Sequence, residues 1–185
     1  MKKVTRDEIL DYVTYEEQRD QIRDQALKVK EHRRIHLGDN LTFLFENHDT
    51  VRYQVLEMVR TERLVKESEI QHELSTYNEL IGDKKGEIFC TLLIEIDSPE
   101  QRTQKLTEWL DLPKHIYLKL DNGDKVYAEF DSRQVGESRL SSVQFMSFGC
   151  GDQYPVSIGC DLESLSIESE LSKNQYEALK SDLIS

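Results

Sequence analysis

Glu69 and His72 stand three residues apart, and Glu62 precedes Glu69 by seven residues. In di-iron carboxylate proteins a glutamate on one helix joins a Glu-x-x-His pair on a neighbour, because the i, i+3 spacing points both side chains at one metal. Glu62, Glu69 and His72 reproduce half of that set, and iron or manganese is the metal it would hold. No second Glu-x-x-His occurs in the chain, so a complete centre requires a symmetric homodimer or a reduced, mononuclear version. Glu46 and His48, spaced i, i+2, add little to it.

These residues depend on two helices. The first is predicted over about Thr50 to Lys66, where a period of about 100° per residue puts Val51, Val55, Met58, Val59 and Val65 on one stripe. Glu62 falls near the middle of that stripe. A carboxylate there must be protonated, paired or bound to something, because an unpaired buried charge is too costly to persist. Two other arrangements satisfy the same pattern. Glu62 pairs with Arg60, Arg63 or an arginine of the first helical hairpin while Glu69 and His72 face water, or a metal-free polar network fixes the packing of the two helices. The second helix starts near Ser68 and ends before Gly82, with Ile70, Leu74, Tyr77 and Ile81 as its apolar stripe.

Around this pair the chain divides into a helical part, about 1–82, and a sheet-rich part, about 86–185, of one domain. Thr5 to Glu8 and Thr14 to Glu17 have capping-box spacing and open two helices; Ile22, Ala26 and Val29 share a face of the second. Leu41 to Phe45 is too short for a helix and reads as a strand. Ile88 to Ile96 reads as a central strand, and Ser98-Pro99 as an N-cap with proline in the first turn. His115 to Leu120 and Lys125 to Phe130 flank Asn122-Gly123, the strongest hairpin signal in the chain. Strands around Val143 to Phe148 and Tyr154 to Cys160 follow, and Ser172 to Gln175 caps a last helix. Helices early and antiparallel strands late predict an α+β fold, with N-terminal helices packed on a mainly antiparallel sheet and a helix at the C-terminus.

Composition excludes several classes. Of 185 residues 32% are charged and 37% hydrophobic, with a net charge of -12. Phosphate backbones and anionic membranes would repel such a chain, so neither nucleic acid nor membrane is expected as a partner unless a basic patch overrides the mean field. Lys28, Lys30, His32, Arg33, Arg34 and His36 form the one candidate, read either as an anion site or as a charged helix end. No apolar run is long enough to span a bilayer, and Met1-Lys2-Lys3 leads into charged residues, so a cytoplasmic location is expected. Three cysteines, Cys90, Cys150 and Cys160, without a Cys-x-x-Cys pair read as free thiols in the core. Nucleophile elbows and phosphate loops are missing. Asp131 to Gly136 matches the Asp-x-Ser-x-x-Gly element of PilZ receptors only in part, with arginine where serine belongs, and reads equally well as a solvated connection.

Several segments together carry a family resemblance: Leu41-Thr42-Phe43-Leu44-Phe45-Glu46, Asp49-Thr50-Val51-Arg52-Tyr53-Gln54, Glu57-Met58-Val59-Arg60, Ile70-Gln71-His72-Glu73-Leu74 and Thr91-Leu92-Leu93-Ile94-Glu95-Ile96. The chain resembles the uncharacterised bacterial family called domain of unknown function 3501, from Tyr15 to about Phe148, with the region after Gly149 not covered. The resemblance implies a neighbourhood of rubrerythrin and a heterodisulfide-reductase-type iron-sulfur protein, hence peroxide defence or electron transfer. It implies no catalytic residues. The first functional reading is therefore an accessory or binding protein that docks to such a redox partner. The second is the metalloprotein of Glu62, Glu69 and His72; the third is an enzyme of unknown class, using a cleft between helices and sheet.

Overall fold

The computed structural model describes residues 1–82, 84–132 and 135–184. In chain order, a 3-10 turn at Arg6–Glu8 precedes α1 (Tyr12–Glu31), β1 (Arg34–Leu37), β2 (Leu41–Glu46), α2 (His48–Thr61), α3 (Glu67–Asn78) and β3 (Glu87–Ile94). Then come α4 (Pro99–Glu108), α5 (Leu112–His115), β4 (Ile116–Leu120), β5 (Lys125–Tyr127), β6 (Glu129–Phe130), β7 (Val143–Gly149), β8 (Pro155–Leu162), β9 (Leu165–Glu170) and α6 (Lys173–Ile184). The fold is α+β, as its pattern of elements predicts. Its strands form two antiparallel sheets rather than one, ordered β1-β2-β3-β7-β6 and β5-β4-β8-β9.

One core cluster joins both sheets. Phe43, Cys90, Leu92 and Phe148 of the five-stranded sheet share it with Ile116, Leu118 and Ile158 of the four-stranded one, and Leu179 and Leu183 of α6 close it. The helical layer has a separate apolar cluster, in which Tyr15, Val51, Val55, Val59, Ile70 and Leu74 bring α1, α2 and α3 together. All three cysteines are buried free thiols.

The Asn122-Gly123 hairpin forms as expected, with Gly123 at φ 91 and Leu118 paired with Val126. The following run does not continue as one strand. Ala128 donates its amide to Ile116, and the chain then crosses to the other sheet, where Glu129 and Phe130 pair with Ser147 and Met146. Asp11, not Thr14, caps α1 by accepting the Val13 and Thr14 amides. The basic cluster does hold a helix end, with Lys28 and Lys30 in the last turn of α1 and His32 as its C-cap, but β1 begins inside it, Arg33 is consumed by Asp182, and Lys30 lies over the Tyr53 ring. The Asp131 to Gly136 stretch includes Arg133 and Gln134, which lie outside the described residues.

The decisive difference is where α2 stops. Arg63 adopts φ 51, the Leu64 amide reaches the Val59 carbonyl at 2.9 Å and the Arg63 amide reaches Arg60 at 3.2 Å. This is a Schellman closure with arginine in the left-handed position usually held by glycine. Arg63→Gly should therefore raise stability by about 1 kcal/mol, the cost of left-handed backbone for a residue with a Cβ less the entropy glycine loses on folding. Urea unfolding checks this, and a loss of stability would contradict the cap.

Candidate functional site

The early end of α2 removes Glu62 from the apolar stripe. It is the C-cap residue and is exposed, as is Val65 at 75%. The expected buried carboxylate at position 62 is thus corrected: the helical stripe ends at Val59, and past it Glu62, Arg63 and Val65 are exposed while Leu64 turns back onto the helical cluster. Arg60, one proposed partner, instead forms an ion pair with Glu16 of α1. Glu62, Glu69 and His72 do border one shallow depression, together with Leu64, Ser68 and Glu73. All three are exposed. Among the described residues no group of three or more His, Cys, Asp or Glu side chains is arranged to hold a metal ion.

The inward carboxylate of α2 that meets an arginine from the first helix is Glu57. Its two oxygens take Arg19 Nε at 2.8 Å and Nη2 at 3.0 Å, and Oε1 also accepts the hydroxyl of fully buried Tyr15 at 2.6 Å. Burial pushes this carboxyl up, but the Arg19 and Tyr15 hydrogen bonds outweigh it and hold it below the usual range. This network fixes α1 on α2.

Glu8 ties the N-terminus to α2. The Thr5 amide, then His48 and Lys2, hold its carboxyl at about 2 against a burial effect that raises it. The folded value lies below the ordinary one of 4.5, so this stabilisation is complete above about pH 4.5 and is lost as pH falls towards 2. Glu8→Gln should flatten the stability profile across that window; an unchanged acid limb in urea titrations at several pH values would contradict it.

Another concavity lies on the outer face of the five-stranded sheet. It is a cleft of about 680 Å³. The C-terminal end of α3 forms one wall through Tyr77 and Leu80, and the short strand β6 forms the other through Glu129 and Phe130. Strand register builds its floor. Glu46 pairs with Phe89, Phe89 with Ser147, and Ser147 with Glu129, a row across four strands that spans roughly 14 Å at ~4.8 Å per strand. Phe145, 43% exposed, belongs to the next row on the same face.

Glu46 is the unusual member. It is 8% exposed, and β2 is buried along its whole length on both faces, because sheet core covers one side and the helical layer lies towards the other. Thr50 Oγ1 donates to its Oε2 at 2.6 Å and Thr91 Oγ1 donates to its Oε1 at 3.0 Å. Its charge reaches two neighbours. Burial, then the Glu46 charge, pushes the Cys90 thiol far above its ordinary range, so that thiol is no nucleophile at neutral pH. Burial lowers Lys30, and Glu46 opposes that shift. By sequence Glu46 reads as a loop residue two positions from His48 that adds little; the missed signal is that the whole run from Leu41 lacks a solvent face.

The chain belongs to the family described as protein of unknown function DUF3501, whose sequence pattern matches residues 3–183. The match runs past Gly149 and so takes in the strands and helix that carried no resemblance. The fold is similar to the crystal structure of a novel protein of unknown function from Burkholderia pseudomallei K96243, at 29% identity and a TM-score of 0.88, covering 98% of this chain and 100% of that one. No curated protein matches the chain. Among the described residues no helix is long and apolar enough to cross a membrane.

Proposed function

We propose that the protein is an accessory binding protein that docks a partner of a redox or peroxide-defence system through the cleft on the five-stranded sheet. One observation carries this reading: a cleft of about 680 Å³ with Tyr77, Phe89, Phe130 and Phe145 around it, which has the size and aromatic lining of a binding site. Aromatic side chains supply most of the energy where proteins meet, and Phe145 is already half open to solvent. The rubrerythrin-like and iron-sulfur proteins implied by the family resemblance are the partners to test.

Calorimetric titration of each purified candidate should give a complex with Kd of about micromolar, or roughly −8 kcal/mol. Phe145→Asp should weaken it about tenfold or more, by ~1.4 kcal/mol. Absence of binding to either protein would reject the redox partner, and an unaltered Kd in Phe145→Asp would reject the cleft.

The shared depression of Glu62, Glu69 and His72 is the observation that favours a second reading, an iron or manganese protein. Elemental analysis of protein purified without chelator tests it. Stoichiometric metal that His72→Ala abolishes would place metal binding first; substoichiometric metal indifferent to that change would end it.

A further inference from the structure

We propose that the cleft receives the ammonium or guanidinium of a lysine or arginine side chain presented by the partner, and that Glu46 is the carboxylate that pairs with it. This rests on the docking reading above and specifies its chemistry. Glu46 is buried yet borders the cleft, and among the described residues the hydrogen bonds to its oxygens come from two neutral hydroxyls, those of Thr50 and Thr91. An ionised carboxylate offers about four acceptor positions, so about two remain. Among the described residues no ion pair reaches it. Lys30, the cation that senses its charge, is directed instead over the Tyr53 ring at 5.0 Å from the centroid. A buried charge in this situation gains from an incoming cation.

The surroundings select the same chemistry. Among the described residues no lysine, arginine or histidine lines the cleft, whereas Glu79 and Glu129 join Glu46 there. Their summed field draws cations in and repels anions. Tyr77, Phe89, Phe130 and Phe145 supply aromatic rings beside the carboxylates, which is the combination that holds a desolvated ammonium or guanidinium. The apolar stem of a lysine or arginine side chain packs on such rings while its head reaches the acid. The thiol of Cys90 and the Thr91 hydroxyl need no chemical role in this scheme.

Glu46 also precedes the N-terminus of α2, where a carboxylate is favourable without any ligand. The test therefore separates folding from recognition. Three small probes are titrated at millimolar concentration into full-length protein carrying methyl-labelled methionine: phenethylammonium, its neutral isostere phenethyl alcohol, and phenylpropionate. The chain has three methionines, and Met146 alone borders the cleft.

The expected result is a shift of the Met146 methyl signal and affinity for phenethylammonium about tenfold or more above that for the alcohol, with phenylpropionate weakest. Glu46→Gln, which removes the charge but keeps the shape, one acceptor oxygen for a threonine hydroxyl and an amide that the other threonine oxygen can accept from, should abolish the preference for the cation. If the alcohol binds as tightly as the ammonium ion, the charge-reading role of Glu46 is overturned while the docking cleft stands. If none of the three moves Met146, the cleft takes no ligand and both readings fall. Should Glu46→Gln not fold, the ratio of ammonium to alcohol affinity in the native protein decides the matter alone.

Discussion

Asp182→Ala is expected to cost about 3–5 kcal/mol, a fall in Tm of roughly 6–20 °C for a chain of this size. Asp182 lies on α6 and meets Arg33, at the junction of α1 and β1, through two parallel hydrogen bonds of 2.7 and 2.9 Å. Asp182 is buried and Arg33 nearly so, at 8% and 11% exposure, and Asn47 Nδ2 adds a third contact to Asp182 at 3.3 Å. Removing the carboxylate leaves the guanidinium with, among the described residues, the Val29 carbonyl alone to bond. That orphaned charge, not the net worth of the pair, sets the size of the loss. Arg33→Met combined with Asp182→Leu should accordingly recover most of it. A single-variant loss below about 1 kcal/mol would mean that α6 is held by Leu179 and Leu183 alone.

The second large effect is expected at Gly86, in the turn that leads into β3. Its φ is +76, and a Cβ there would fall 2.4 Å from the carbonyl oxygen of Gly151, whose amide bonds back to Gly86 at 2.9 Å. Neither group can turn away, since both are backbone. Gly86→Ala should cost about 2–5 kcal/mol, combining left-handed strain with overpacking. The strand that supplies Phe89 and Cys90 begins beside this contact, so the variant should also broaden the Met146 methyl signal through its β3 neighbour. Unchanged stability in urea would show that the turn opens freely and that the cleft floor is not anchored there.

Local chemistry made much of this molecule legible before its structure. Asn122-Gly123 and Ser98-Pro99 announce their turn and cap because both depend on the residues at those positions and on little else. Strands β2, β3, β7 and β8 follow from apolar runs. By contrast β9 has no fully buried residue: Leu165, Ile167 and Ser169 are half covered, and two apolar residues in six offer little signal. Strand β1 hides its buried Ile35 and Leu37 between basic residues that read as a helix end. That the strands divide into two sheets depends on the crossing after Ala128, a tertiary choice with no local signature.

The candidate site followed the same rule. A buried carboxylate is present at Glu46, held by two threonine hydroxyls, and a half-buried one paired with Arg19 at Glu57, but none at Glu62. The helical period locates a stripe correctly as far as the helix lasts, and nothing in Thr61-Glu62-Arg63-Leu64 marks the stop, because arginine occupies the position where glycine would have announced it. Glu46 was undervalued because alternation reveals which face of a strand is apolar, whereas burial of both faces is imposed by the helices that pack later in the chain.

The central claim is that the protein engages its partner on the outer face of the five-stranded sheet. Hydrogen-deuterium exchange of the complex with the redox protein that binds tests it most directly. The account predicts new protection at the end of α3, in β6 and along the Phe145 to Ser147 part of β7, with α1 unchanged. Protection confined to the exposed ends of the helical layer, around Val13 and Val65, or to the four-stranded sheet, would contradict it.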